Sequence, residues 1–230
     1  MDEVGAIVAA AGSGIRLRAE SDDPTPKAMR ALGDRPLVSH AVAHLLAAGI
    51  TTIVVVGPPD RVEELQKLLG KSITVIAGGQ TRQDSVYAGI AALPPDTDIV
   101  LVHDAARALA PADLIQRVVE AVRGGHDAVV PGIAVVDTIK VVDELDSVVE
   151  TPERSALRII QTPQGFRRAL LEQAHVHART DARFGNDATD DAGLVEELGK
   201  PVHVVVGDRR AMKVTTADDL RLAAAMLESQ

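Results

Sequence analysis

Val4–Ala10 is an unbroken run of small and β-branched apolar residues that stops at Ala11-Gly12-Ser13-Gly14. A short apolar run closed by a glycine turn marks a strand buried on both faces. The same signature returns at Thr51–Val56 before Gly57-Pro58-Pro59 and at Ile73–Ile76 before Ala77-Gly78-Gly79, and Ile99–Val102 and Asp127–Val130 read as further strands. Between these runs the apolar spacing changes to that of a helix. Within Pro36–Ala48, Leu37, Ala41, Leu45 and Ala48 recur at steps of three and four, and Gly49 closes the segment. Asp60–Leu69, Thr81–Leu93 and Pro111–Val122 read as further helices.

Strand and helix thus alternate with short connections, which predicts a mostly parallel sheet covered on both faces. Right-handed crossovers narrow this to a doubly wound, three-layer α/β sandwich of Rossmann-like type. Ligands of such sheets sit beyond the carboxyl ends of the strands, so the turns after Ala10, Ile76 and Val102 are where chemistry is expected. The rhythm breaks between Ala134 and Ile160. Val135–Val142 and Val148–Thr151 are predicted as strands around the polar turn Asp143–Asp146, a β-arm inserted into the α/β pattern. Such an arm is too thin to cover its own apolar face and is expected to meet a second chain. The pattern resumes with a strand at Ile159–Gln161, helices over Arg167–His177 and Thr189–Leu198, a strand at Val202–Val206 and a helix over Thr216–Leu227. No repeat or boundary divides it, so residues 1–230 are read as a single domain with the arm at about 134–160.

Composition removes several classes of function. With 230 residues, 46% of them hydrophobic, the chain can bury one sizeable core without staples. The absence of cysteine excludes thiolate metal sites, disulfides and cysteine nucleophiles. A net charge of −9 gives no attraction to nucleic acid or anionic lipid, and 1% aromatic content leaves no stacking platform for single strands. Two acids precede the first apolar run and no run reaches membrane-spanning length, so the expectation is a cytoplasmic protein without signal peptide or membrane partner.

Four stretches carry candidate chemistry. Ala9-Ala10-Ala11-Gly12-Ser13-Gly14-Ile15-Arg16, followed by Pro26-Lys27, matches neither the dinucleotide fingerprint nor the P-loop. It leaves a small-residue turn whose amides form an anion nest, with Arg16 and Lys27 suited to a polyphosphate; the competing reading is a loop with solvated bases. Arg18 and Arg30 are read as surface charges. His103-Asp104-Ala105-Ala106-Arg107 places an acid at a strand's carboxyl end, fit for Mg²⁺ between phosphates, and Arg107 within reach of an anionic substrate. Alternatively, Asp104 orders the turn and pairs with Arg107. The glycines of Gly78-Gly79-Gln80-Thr81-Arg82-Gln83-Asp84-Ser85 either present backbone groups to a base edge or form a tight turn capped by Thr81. Lys213 precedes Thr216 and Asp219, which imitate a capping box, and is a third possible phosphate contact. His40 and His44 lack a third metal ligand, and Asp181, Asp187, Asp190 and Asp191 are read as a solvated loop capping the helix from Thr189.

Taken in order, Ala10–Arg16, Pro26-Lys27, Gly78-Gly79 with Asp84-Ser85, Val102–Arg107, Asp137-Thr138-Ile139-Lys140, Gln161-Thr162-Pro163-Gln164 and Lys213-Val214-Thr215-Thr216 span nearly the whole chain. Together they closely resemble the 2-C-methyl-D-erythritol 4-phosphate cytidylyltransferases, in their single-function form. The resemblance implies a nucleotidyltransferase fold, CTP as donor, a polyol phosphate as acceptor, and Mg²⁺ or another divalent cation such as Mn²⁺. It implies a homodimer joined through the β-arm. Ala10, Ala11, Gly12, Gly14, Gly78, Gly79, Ser85 and Ala105 would hold the nucleotide, and Arg16, Lys27 and Lys213 the triphosphate as catalytic cations. Asp104 would face metal and substrate, with Arg107, Thr138, Thr162 and the partner-reaching Arg154 toward the acceptor. Two departures stand out. Arg210 occupies the aligned place of a family aspartate, so either Asp208 is the second metal carboxylate, the expected choice, or Asp104 is the only one; and Ala108 follows Arg107 where proline is usual. The rival functions are a ribitol 5-phosphate cytidylyltransferase and a catalytically silent nucleotide-binding regulator.

Overall fold

The computed structural model describes residues 2–12, 25–180 and 189–228. Its centre is an eight-stranded sheet in which β1 (Val4–Ala9) pairs in parallel with β4 (Thr52–Gly57) on one side and β6 (Ile99–Asp104) on the other. β5 (Thr74–Ala77) continues beyond β4. On the far side of β6 lies β11 (Gln164–Arg167), antiparallel, and then β7 (Ala128–Ala134). Val129 pairs with both Gly165 and His203, and Gly132 with both Ile160 and Val206. The parallel β12 (His203–Val206) therefore takes one edge of β7, while β10 (Arg158–Ile160) and β11 share the other.

The continuous apolar runs are explained by period-two alternation between two buried faces. Ala6 and Val8, Ile53 and Val55, and Ile99 and Leu101 point into one core, with α1 (Leu37–Ala47), α2 (Val62–Leu69) and α4 (Ala112–Arg123) packed on it. Ile7, Val54 with Val56, and Val100 with Val102 point into the other, under α3 (Arg82–Ala92), α5 (Arg168–Thr180) and α6 (Asp191–Glu197). A third cluster, including Leu32, Leu109 and Val214, seats α7 (Ala217–Glu228) against the hairpin β2 (Ala31–Leu32) and β3 (Arg35–Pro36).

Several expectations need correction. The hairpin β2–β3 and the strand β11 are absent from the sequence reading because each is short and carries no apolar alternation. β11 relies on Gly165: a Cβ there would lie 2.6 Å from Val118 Cγ1. The arm is also less regular than predicted, with strand only at β8 (Val141–Val142) and β9 (Val148–Glu150). Arg30 is buried, not a surface charge, and its Nε donates to Thr25 O at 3.3 Å.

Candidate active site

The chain runs β1, β4, β5 outward in one direction, then returns across the sheet to place β6 on the opposite flank of β1. The carboxyl ends of β1 and β6 therefore flank a topological switch point, where a doubly wound sheet opens a crevice. A cavity of about 390 Å³ lies there. Its floor is Ala9–Gly12 at the end of β1 and Asp104–Ala106 at the end of β6. One wall is Gly79–Arg82 with Ser85, and Lys27, Ala28 and Lys213 close the rest. Eight of these fifteen lining residues are Ala or Gly, so backbone rather than side chain faces much of the space. Main-chain donors and acceptors in a concave site suit the edges of a planar base.

The Gly79–Ser85 wall is built locally. Thr81 caps α3: its Oγ1 accepts from Asp84 N–H at 3.0 Å while Asp84 accepts from Thr81 N–H at 3.3 Å. Ser85 Oγ donates to Thr81 O at 2.9 Å and accepts from Gly79 N–H at 3.1 Å, closing the turn from inside. Gly78 lets this turn meet the β1 turn, since a Cβ there would stand 2.6 Å from Ala11 Cβ and 2.9 Å from Ser85 Oγ. The tight turn capped by Thr81 is therefore present, and Gly79 at its start also lines the cavity.

Charge concentrates at Asp104. Lys213 Nζ lies 2.7 Å from its Oδ2 and Arg82 Nη2 lies 3.6 Å from its Oδ1. Burial works to raise the Asp104 carboxyl, yet Arg82 and Lys213 outweigh it and hold the group at about 2, so it is ionised at neutral pH. Its neighbour His103 is buried and pushed down to about 4, hence neutral. Thr162 Oγ1 accepts from Asp104 N–H at 3.0 Å and bonds His103 Nδ1 at 2.9 Å, pinning the end of β6.

The structure brings Ala10, Ala11, Gly12, Lys27, Gly79, Ser85, Asp104, Ala105 and Lys213 to one cavity, with Gly78 directly behind its wall. Gly14 and Arg16 lie outside the described residues. Five expected residues stand elsewhere. Thr162 is buried beneath Asp104 instead of lining the cavity. Arg107 donates to Ala211 O at 2.8 Å and Ile160 O at 3.1 Å, so backbone carbonyls occupy its fork. Thr138 and Arg154 are exposed on the arm, where Arg154 donates to Val136 O at 2.7 Å. Asp208 is a correction: it does not line the cavity, and Arg210 engages both its oxygens, Nε on Oδ1 at 3.0 Å and Nη2 on Oδ2 at 2.7 Å. Among the described residues, that leaves Asp104 as the carboxylate of the lining. Among the described residues no group of three His, Cys, Asp or Glu is placed to hold a metal.

Three residues at the site escaped the sequence reading: Arg82, Asp191 and His175. Asp191 is not in a solvated loop but fully buried, 2.7 Å from Arg82 Nη1 and 3.0 Å from His175 Nε2. A signal for it exists. Asp191 lies three and four residues before Leu194 and Val195, on the face of α6 that they bury. Asp190, by contrast, caps α6 as expected by accepting from Gly193 N–H.

Comparison with known proteins agrees with this geometry. A family model for 2-C-methyl-D-erythritol 4-phosphate cytidylyltransferase (IspD) matches residues 4–229. The protein of that name from Rhodococcus jostii (strain RHA1) is 50% identical over 224 residues, covering 97% of this chain and 94% of its own length. The crystal structure of the one from Thermus thermophilus is similar at a TM-score of 0.81 and 36% identity, over 99% of this chain and 100% of that one. The 4-diphosphocytidyl-2C-methyl-D-erythritol synthase of Anaerococcus prevotii DSM 20548 reaches a TM-score of 0.85 at 28% identity, covering 99% of both chains. Sequence and backbone agree over nearly the full length, and this chain therefore belongs to the 2-C-methyl-D-erythritol 4-phosphate cytidylyltransferase family and is a nucleotidyltransferase.

Proposed function

We propose that this chain transfers CMP from CTP to 2-C-methyl-D-erythritol 4-phosphate, releasing pyrophosphate. The observation that carries the reading is the pairing of a backbone-lined base cradle with Lys27, Lys213 and Asp104 around one cavity at the switch point. Ala10–Gly12 and Gly79 offer the main-chain groups for cytosine and ribose. Lys27 and Lys213 reach the same cavity and are the triphosphate cations. Arg16, expected to join them, lies outside the described residues.

In the transfer, an oxygen of the acceptor's phosphate monoester forms a bond to the α-phosphorus while the bond to the bridging oxygen of the β-phosphate breaks. A phosphate monoester, with a second pKa near about 6, is already largely dianionic at neutral pH. No side chain has to remove a proton. The task of the protein is to bring two anions together and offset the charge that moves onto the leaving group. Two preplaced ammonium groups do this, each worth on the order of 3–4 kcal/mol.

The donor set fits Mg²⁺. That ion is usually held by one or two carboxylates together with substrate phosphates, and Asp104 is one ionised carboxylate on the cavity wall. A bound Mg²⁺ would add neutralisation of phosphate charge. Asp104 would hold it, and Lys213, now on Asp104, would turn to the phosphates.

We further infer a homodimer through the arm. Val141, Val142, Leu145, Val148 and Val149 are exposed on it, an apolar surface that a second copy would cover. Thr138 and Arg154 stand outside their own chain's cavity, which suits a role in the partner's acceptor site. No described helix is long and apolar enough to cross a membrane. We place the enzyme in the cytoplasm, as its acidic, cysteine-free sequence suggests.

The test is pyrophosphate release from CTP and Mg²⁺ with either 2-C-methyl-D-erythritol 4-phosphate or ribitol 5-phosphate. Turnover with the first acceptor is expected, and turnover with only the second, or with neither, refutes the reading. Lys27→Ala is expected to lower kcat about 10²–10³-fold with an unchanged circular dichroism spectrum.

A further inference from the structure

Arg82 is the first residue of α3, where the helix dipole opposes a cation. It nevertheless lines the cavity with its side chain only 31% exposed. Two carboxylates compensate: Asp104 at 3.6 Å across the cavity floor and Asp191 at 2.7 Å from behind. The contact with Asp191 Oδ2 is an ion pair off the line of a hydrogen bond. The other oxygen of Asp191 meets His175 Nε2 at 3.0 Å. An ionised carboxylate can only accept, so His175 donates from Nε2 and holds Asp191 in turn. His175 itself is fixed in α5 with 1% exposure, against α6 that carries Asp191.

This chain of three is costly if stability were its purpose. Asp191 has 0% exposure, and a buried ion pair is often replaced by apolar residues without loss. Its geometry has a better explanation. Asp191 draws the guanidinium back, so that Arg82 stays 3.6 Å from Asp104 while Lys213 takes the close contact at 2.7 Å. We propose that Asp191, backed by His175, is a positioning residue that restrains Arg82 from closing onto Asp104 and so keeps that carboxylate available to substrate. The proposal rests on the cytidylyl-transfer reading for its kinetic consequence, while its geometric content stands apart from it.

The experiment is a double-mutant cycle, which separates a shared action from independent effects. Asp191→Asn keeps the shape and a bond to His175 but removes the restraining charge. It is expected to lower kcat/KM for CTP about tenfold in the wild-type background and less than twofold in an Arg82→Ala background. A residue needed only for folding would give the same factor in both. That result, or a wild-type kcat/KM in Asp191→Asn, overturns the proposal. Should Asp191→Asn not fold, His175→Gln replaces it, with a fall of about threefold expected only when Arg82 is present, and no fall refuting the idea. A wild type that turns over no CTP would sink the functional reading alone. The proposal is then decided by the Arg82 guanidinium ¹⁵N–¹H resonance, assigned by its loss in Arg82→Ala. A signal resolved in the wild type and averaged in Asp191→Asn supports it, and an unchanged signal overturns it.

Discussion

Gly78 illustrates how a single missing methyl group shapes the Gly79–Ser85 wall of the cavity. A Cβ at this position would come within 2.6 Å of Ala11 Cβ, 2.9 Å of Ser85 Oγ and 3.3 Å of Gly57 O. Two of these neighbours are short and one is backbone, so none can swing aside. Gly78→Ala is expected to cost about 1–3 kcal/mol through overpacking. Because the displaced atoms belong to both cavity-lining turns, KM for CTP should rise while kcat changes less. Chemical denaturation and steady-state kinetics check the two parts. At Gly12 a Cβ would meet nothing within 4 Å among the described residues, so Gly12→Ala should leave stability near wild type.

At the level of the element, α3 is held at its start by reciprocal bonds between Thr81 and Asp84, and Arg179 Nη1 donates to Asp84 Oδ1 at 2.6 Å. Arg179 also lies over the Tyr87 ring at 4.6 Å, joining α5 to α3. Thr81→Ala should cost about 1 kcal/mol, the usual worth of such a cap, and loosen the Gly79–Ser85 wall. The pH dependence has a definite sign. The Asp84 carboxyl is held below its usual range chiefly by the Thr81 side-chain bond and also by Arg179. A depressed carboxyl stabilises the fold above its unfolded pKa and loses that contribution as pH falls through the folded value. The stability gap between wild type and Thr81→Ala is therefore expected to narrow below about pH 4. Urea titrations of both proteins between pH 7 and pH 3 measure it.

For the whole molecule, the decisive question is whether the arm completes a neighbour's site. Val149 and Val142 are exposed on one chain, so Val142→Asp with Val149→Asp should leave the monomer fold intact. Sedimentation is expected to report a dimer for the wild type and a monomer for this variant. Complementation tests the shared site more directly. If Lys27 acts within its own chain and Arg154 in the partner's cavity, Lys27→Ala and Arg154→Ala are each inactive alone. Mixed one to one and allowed to exchange, half the dimers carry one intact site, restoring roughly a quarter of wild-type activity. No recovery would place both residues in the same chain's site.

The apolar runs were enough to predict the doubly wound core, because a strand buried on both faces must be apolar at every position. Turn residues sufficed to locate the cavity, since small residues after β1, β5 and β6 are what a backbone-lined crevice requires. Lys27, Asp104 and Lys213 were also recognisable, as each adjoins such a turn or strand end in a pattern that resembles the family. What the chain order could not announce was any pairing between distant segments. Arg82 and Asp191 are far apart in sequence and meet only because α3 and α6 pack on the same face of the sheet. Asp208, by contrast, is engaged locally, since the Arg210 fork two residues on takes both its oxygens. Local composition determines which elements form and which faces they bury; where a buried charge such as Asp191 ends up depends on which opposite charge the packed helices bring within reach, and that was decided by tertiary structure.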